Sequence, residues 1–519
     1  MLENYEELFL RLVEEYYGLI PSIIVKKIIR YGQLTVGEAK SHCCLKSSDF
    51  QKGLRVLLRV RLISITANRS ESKRLISIEN DHLICCLFFA NYLMAINRLC
   101  GVEAVSLMKT LFLYGWISSE DLIIRTLFHI IKNNNLDSLC EDQIRLFISS
   151  LIEKFNDLVT RKIIIQKHQD EKNKTVNSVA IDENLILVSL QKLLNSDKSI
   201  DCDRIFNTNS SFSYDLEALN FLYFIDIFQY LLNMPVENDE ALFLFKTVLS
   251  ITFERSHRMK SDSVSMEQMH EKFSKKYPNV TIGQLQRIVS VYAHYFAPNF
   301  LHISRDGVAI NFLGFLTNLV KVIVKAFVAK NFGETSVRIY GSLLEQVCVF
   351  ENDLISSLKI DMKELHQNLY VLDQNKLIQT TFFSEVNKSA IISPRNIRKT
   401  FAADLQDAVN LILKRSYYSI YCLNHRRSIE INAQKGLITR KNQIENYKKE
   451  IEEKVSDIEK RNNLLTIAHS YMAAADHQQS EKLITYDNKI DKVLFHLVNH
   501  IFVLTIWRQQ FSKYTENEI

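Results

Sequence analysis

Glycine and proline are both scarce: the 519-residue chain holds twelve Gly and five Pro, where average usage would supply roughly 60 of the two together. So few helix breakers imply long uninterrupted helices and few tight turns. The same shortage argues against a doubly wound enzyme, whose phosphate loops need glycine. Catalytic signatures are missing too, with no G-x-x-x-x-G-K-[ST], G-x-G-x-x-G, H-E-x-x-H or G-x-S-x-G. No catalytic or cofactor-binding residue is assigned, no small-molecule substrate is expected, and a non-enzymatic role follows.

Cysteine spacing excludes two more classes. The nine Cys are odd in number and form no C-x-x-C pair, so neither a disulfide framework nor a zinc ribbon is expected, and a reducing compartment follows. His82 with Cys85 and Cys86, and His42 with Cys43 and Cys44, each lack a second spaced pair. They read as core cysteines beside a polar histidine, and no metal site is assigned. The acidic, amphipathic start MLENYEELFL is unlike a signal peptide. The longest apolar run, Ile310 to Val328, contains Asn311, Asn318, Lys321 and Lys325 and reads as a core-facing helix, not a membrane span.

What is present is an uneven charge distribution. Between Lys26 and Arg74 twelve Lys/Arg face three Asp/Glu, a balance of +9 against +5 for the whole chain. One basic face on a body otherwise near neutrality suggests a localised anionic partner.

The first eighty residues read as helices followed by two alternating segments, RLISIT at 61–66 and RLISIE at 74–79, around a polar tip. Alternation at period two about such a tip is a β-hairpin, and helices leading into a hairpin make a winged helix. The order recurs. After Asp81 come helices near 82–98, 102–114, 119–131 and 141–157, then a strand in LVTRKIII with its return in VNSVAI. After Glu240 come helices near 240–257, 264–276 and 281–296, then FLHIS, Arg305-Asp306-Gly307 and VAINF. A final repeat ends in KLIQTTFF and KSAIIS. The expected layout is winged helices at 1–80, 81–182, 239–312 and 313–398, a helical connector at 183–238, and a C-terminal region at 399–519.

In that last region Leu437, Ile444, Ile451, Ile458 and Leu465 recur every seven residues, whereas the companion positions Lys441, Lys448, Val455 and Asn462 are mostly polar. Half a seam implies packing against the preceding helix as a coiled-coil hairpin and not a free-standing zipper. The fold class is therefore mainly α: tandem winged helices, then a coiled-coil helical hairpin.

Lys52, Arg55 and Arg59, spaced by three and four, share the face of their helix opposite Leu54, Leu57 and Leu58. In a winged helix this is the recognition helix, and the wing adds Arg69, Lys73 and Arg74. These six cations suit phosphate contact; with Gln51 the lone amide on that helix, base reading should be weak. The corresponding helices of the later repeats are less basic and read as protein-docking surfaces.

Four winged helices, an aromatic insert and a C-terminal hairpin resemble the large winged-helix subunit of the RNA polymerase III-specific heterotrimer, which is related to the alpha subunit of general transcription factor IIE. The closest local stretches are ENYEELFLRLVEEYYGLIPSIIVKKIIRYGQLTV near the start, FGETSVRIYGSLLEQ from Phe332, MKELHQNLYVLDQNKLIQ from Met362 and AVNLILKRSYYSIYCLNHRRSIE from Ala408. The resemblance implies a non-catalytic nuclear subunit. It would join two smaller subunits, dock on the clamp of the largest subunit, and support promoter binding and opening for small RNAs (tRNA, 5S rRNA). Promoter DNA contact would be weak and largely sequence-independent. The alternative is a helical scaffold of the cullin or proteasome-lid type, marked by a continuous solenoid through 81–236.

Overall fold

The computed structural model describes residues 6–67, 74–133, 141–166, 181, 183–194, 211–232, 243–244, 247–252, 263–295, 301–304, 307–346, 348–384, 397–454, 458–471 and 473–518. They form two compact units, 1–320 with 506–519, and 321–505.

In the first unit, α1 (Glu6–Tyr17) and α2 (Leu19–Tyr31) precede β1 (Leu34–Thr35), α3 (Val36–Cys43), α4 (Ser47–Arg59), β2 (Ile63–Ala67) and β3 (Arg74–Ile78). Thr35 and Glu38 form a capping box that starts α3. The sheet runs β1–β3–β2, antiparallel throughout, with hairpin register Ile63↔Ile78 to Ala67↔Arg74. Its core gathers Val13, Ile24, Ile28, Phe50, Leu57 and Ile76. This is a winged helix with one additional helix in front.

The same order follows immediately. α5 (Asn80–Cys100), α6 (Val102–Tyr114), α7 (Ser119–Asn133), α8 (Glu141–Thr160), β4 (Ile164–Gln166), α9 (Glu183–Leu194), β5 (Phe212–Tyr214) and α10 (Leu216–Leu232) make the second module and its exit. Ile117 bridges Phe212, and β4 pairs with β5 from Ile164↔Tyr214 to Gln166↔Phe212. This corrects the sequence reading. The expected return strand VNSVAI falls almost wholly outside the described residues, and the observed one comes from the 183–238 stretch read as connector. Three short residues carry no periodicity that would reveal them. α9, between the two strands in sequence, packs on α7 and α8.

α5 and α10 pack side by side and are joined by polar rungs. Asn91 Nδ2 donates to the Tyr223 hydroxyl, the Tyr92 hydroxyl to Asn220 Oδ1 at 2.5 Å, and Arg98 Nη1 to Asp226 Oδ1 at 2.9 Å. From Asn91–Tyr223 to Arg98–Asp226 the partners advance along both helices, so the two run parallel.

The third module contains helical residues 243–244 and 247–252, then α11 (Met266–Phe273), α12 (Ile282–Tyr295), β6 (Leu301–Ser304) and β7 (Gly307–Ile310). β6 and β7 pair from Leu301↔Ile310 to Ser304↔Gly307, the hairpin expected there, and Val264 bridges Val308 as the third strand position. α13 (Phe312–Phe332) follows, and Phe312 and Phe315 meet Phe224 edge-on.

In the second unit, α14 (Glu334–Glu345), β8 (Val349–Phe350), α15 (Glu351–Leu358), α16 (Met362–Gln374), β9 (Gln379–Ser384) and β10 (Ile397–Ala402) repeat the pattern, with sheet order β8–β10–β9. The expected return strand KSAIIS lies outside the described residues; the strand that pairs with β9 is 397–402, so this sheet runs past the expected boundary at 398.

The C-terminal arms are α17 (Leu405–Ala433), α18 (Lys435–Lys454), α19 (Ile458–Ser470) and α20 (Ala474–Glu518). Arg427 reaches Asp487 and Asp491, and Arg440 reaches Asp476. Partner numbers that fall as the others rise mark an antiparallel hairpin.

Two devices recur across modules. Gly18, Gly101 and Gly333 each separate the leading helix from the next, with φ near +90° and ψ near 175° (92/174, 96/175 and 88/173), a conformation open to glycine alone. Arg61, Lys162 and Lys376 follow the third helix of their modules with φ of 63°, 55° and 56°. At each the next amide reaches back five residues, Leu62 to Leu57, Ile163 to Leu158 and Leu377 to Leu372, all at 3.0 Å. That is the Schellman closure. By length and composition alone α5, α13 and 475–512 of α20 could cross a membrane. In α13 the buried residues Phe312, Leu316, Val320, Val324 and Val328 recur every fourth position and so form one stripe.

Candidate nucleic-acid interface

α4 is oriented by its packing on α2. Phe50, Gly53 and Leu57 are buried, and a Cβ at Gly53 would lie 2.7 Å from Ile20 Cγ2 and 2.9 Å from Ile24 Cδ1. That close approach turns Lys52 and Arg55 outward, where both are exposed. Neither makes a hydrogen bond or ion pair among the described residues. Arg74 is exposed at the start of β3, opposite Ala67. Arg69 and Lys73 lie outside the described residues. Lys26, Arg30, Lys40 and Lys46 are exposed on the same module, so its charge is available to solvent.

Arg59 differs from its two companions. It is half-buried, and its Nε donates to the Trp116 carbonyl at 2.9 Å while its own carbonyl accepts the Trp116 amide at 3.0 Å. The helical spacing correctly put Arg59 opposite the module's own core, but the second module covers that end of α4. Arg61 is likewise occupied: Nη1 donates to the Tyr214 carbonyl at 3.2 Å, and its guanidinium lies 5.5 Å from the Trp116 ring centre. Sequence reasoning missed this joint, because nothing in a local pattern says which neighbour will cover a helix end.

His82, Cys85 and Cys86 are buried. His82 Nδ1 lies 3.3 Å from the Tyr214 hydroxyl, and the Cys86 thiol donates to the His82 carbonyl. Burial, reinforced by the nearby Arg61 charge, lowers the His82 pKa to about 4, so the ring is neutral near pH 7. Burial pushes the Cys85 thiol well above its usual range and Cys86 up to about 12, which holds both as packed thiols. Among the described residues no group of His, Cys, Asp and Glu is arranged to hold a metal ion.

The third helices of the other modules present different surfaces. α8 exposes Leu146 and Phe147, α12 exposes Ile282 and Val291, and α16 exposes Met362 and Tyr370. In the hairpin, Ile451 is 5% exposed, Leu437, Ile444 and Leu465 are half-buried, and Ile458 is 66% exposed. The heptad expected to pack throughout therefore does not do so at Ile458, which opens the returning helix α19 instead of continuing α18.

The repeated order of helices and strands, with one conspicuously basic third helix, invites comparison with known proteins. Residues 319–415 match the family model described as the TFIIE alpha subunit. That segment holds the fourth winged helix, with helix on either side. The chain is also 25% identical over 189 residues to a protein of Danio rerio named DNA-directed RNA polymerase III subunit RPC3. The aligned part is 36% of this chain and 34% of that relative, so the chain matches about a third of the relative's length. Both similarities agree with the winged-helix resemblance read from the sequence.

Proposed function

We propose that this chain is a non-catalytic subunit of DNA-directed RNA polymerase III, acting in the nucleus within a peripheral heterotrimer. The carrying observation is the fourfold winged-helix order joined to a C-terminal hairpin, together with the similarity to RPC3. Two smaller specific subunits and the clamp of the largest subunit are its partners in this reading. The exposed apolar side chains on α8, α12 and α16 support roles in docking, since aromatic and apolar groups enrich partner interfaces. The first module contacts promoter DNA through Lys52, Arg55, Arg74 and the wing, largely without base specificity, and so supports opening and initiation. Cations on a face turned from the core support that role.

The scaffold alternative needs a continuous helical solenoid through 81–236. The second module instead closes a sheet between β4, β5 and Ile117, which disfavours it. The test is affinity purification of the tagged chain from nuclear extract. Recovery with polymerase III subunits is expected, and recovery as a free monomer would sink the reading.

A further inference from the structure

The C-terminal end of α4 is tied to the second module by an unbroken series of main-chain bonds. Arg59 and Trp116 exchange a pair of hydrogen bonds: amide of Trp116 to carbonyl of Arg59 at 3.0 Å, and Nε of Arg59 to carbonyl of Trp116 at 2.9 Å. The next residue, Ile117, donates to the Phe212 carbonyl at 3.1 Å and accepts the Phe212 amide at 2.7 Å. Phe212 begins β5, which carries β4. The approach is close: a Cβ on Gly115 would sit 2.1 Å from the Arg59 carbonyl oxygen. Arg61 fastens the other side through Tyr214 and Trp116.

We propose that the Arg59–Trp116 joint makes the first two winged helices one mechanical body, so that nucleic acid bound along α4 tightens the sheet of the second module. Arg59 is then a positioning residue and not a phosphate ligand. The coupling rests on the reading of α4 as a nucleic-acid face; the joint itself does not. Its logic is that of two sites biasing one packed element. Lys52 and Arg55 supply the contact, and the paired bonds at Arg59 carry its effect to Ile117 and Phe212.

Hydrogen exchange on the full chain, free and with a short DNA duplex, tests both parts. In the free wild-type protein the Trp116 and Ile117 amides should exchange slowly, and fast exchange at both overturns the joint; Arg59→Ala and Arg59→Lys, which lose the Nε bond, should speed them, and no change in either variant overturns the part given to the Arg59 side chain. With duplex added, the wild-type protein should slow exchange in Phe212–Tyr214, and Arg59→Ala should abolish that slowing while still binding. The salt dependence of binding should be unchanged in Arg59→Ala. A fall in its slope by about one would make Arg59 a phosphate ligand and overturn the assignment. Equal protection of Phe212–Tyr214 in wild type and variant would overturn the coupling. If wild-type protein binds no duplex, the nucleic-acid reading and the coupling both fall, and free-protein exchange still decides the joint.

Discussion

The Tyr92 hydroxyl donates a 2.5 Å hydrogen bond to Asn220 Oδ1, across 128 residues of sequence. It is one rung between the parallel helices α5 and α10, with Tyr92 fully buried. Tyr92→Phe keeps the ring and removes the donor, leaving the Asn220 oxygen short of a partner. The expected loss is about 1 kcal/mol, read as a lower urea midpoint. Tyr92→Ala also leaves a cavity and should cost about 3–5 kcal/mol. An unshifted midpoint in Tyr92→Phe would refute the rung.

His82 gives the fold a pH dependence of definite sign. Its folded pKa is lowered from 6.5 to about 4, so between those values the unfolded chain takes up a proton that the folded one refuses. Above pH 6.5 the group contributes nothing. As pH falls toward 4 it removes up to about 3 kcal/mol of stability. Glutamine keeps a polar amide at this position but does not titrate. Urea midpoints from about pH 7 to about pH 4.5 should therefore fall more steeply for the wild type than for His82→Gln. His129 and His500 also have lowered pKa values through burial, but both proteins share them, so they cancel. Parallel curves would show that His82 is not the titrating group.

Lys52 and Arg55 are exposed on α4, whereas Arg59 is held by Trp116. Lys52→Ala and Arg55→Ala should each weaken DNA binding with little sequence preference and lower the salt slope by about one. Fluorescence anisotropy across a salt series separates this from unfolding, which circular dichroism monitors. Unchanged affinity in the folded double variant would mean that the face is only solvated.

What the sequence revealed followed the range of the interactions. The hairpin of Ile63–Ala67 and Arg74–Ile78 was legible because its two strands are neighbours and alternate. The partner of Ile164–Gln166 was not, since an apolar alternating segment at 176–181 competes with three residues at 212–214. The solvent side of α4 was legible from helical spacing, yet the capture of Arg59 depends on Trp116 in the next module. Glycine scarcity correctly implied long helices. That Gly18, Gly101 and Gly333 share one backbone conformation was not legible, because a lone Gly between helices reads simply as a break.

Ile451 and Ile458 are equivalent in the heptad and unequal in the hairpin, at 5% and 66% exposed. Ile451→Asp buries an unpaired carboxylate and should destabilise the second unit by several kcal/mol. Ile458→Asp meets solvent and should change stability by less than about 0.5 kcal/mol. Thermal unfolding of the two variants side by side checks the contrast. Equal losses would mean that the stripe packs throughout.

Arg61, Lys162 and Lys376 share a left-handed backbone that strains any residue with a Cβ by about 1–2 kcal/mol. Glycine relieves that strain and gives back part of the gain through the greater freedom of the unfolded chain. Lys162 and Lys376 are exposed. Lys162→Gly and Lys376→Gly should thus stabilise their modules by about 0.5–1 kcal/mol. Arg61 is in the same conformation but also holds Tyr214 and Trp116. Arg61→Gly gains the same relief and loses a hydrogen bond and a cation–π contact, together worth about 1–2 kcal/mol. It should be neutral or destabilising. Urea midpoints of the three variants decide it: a gain at Arg61 equal to that at Lys376 would show that its side-chain contacts contribute nothing.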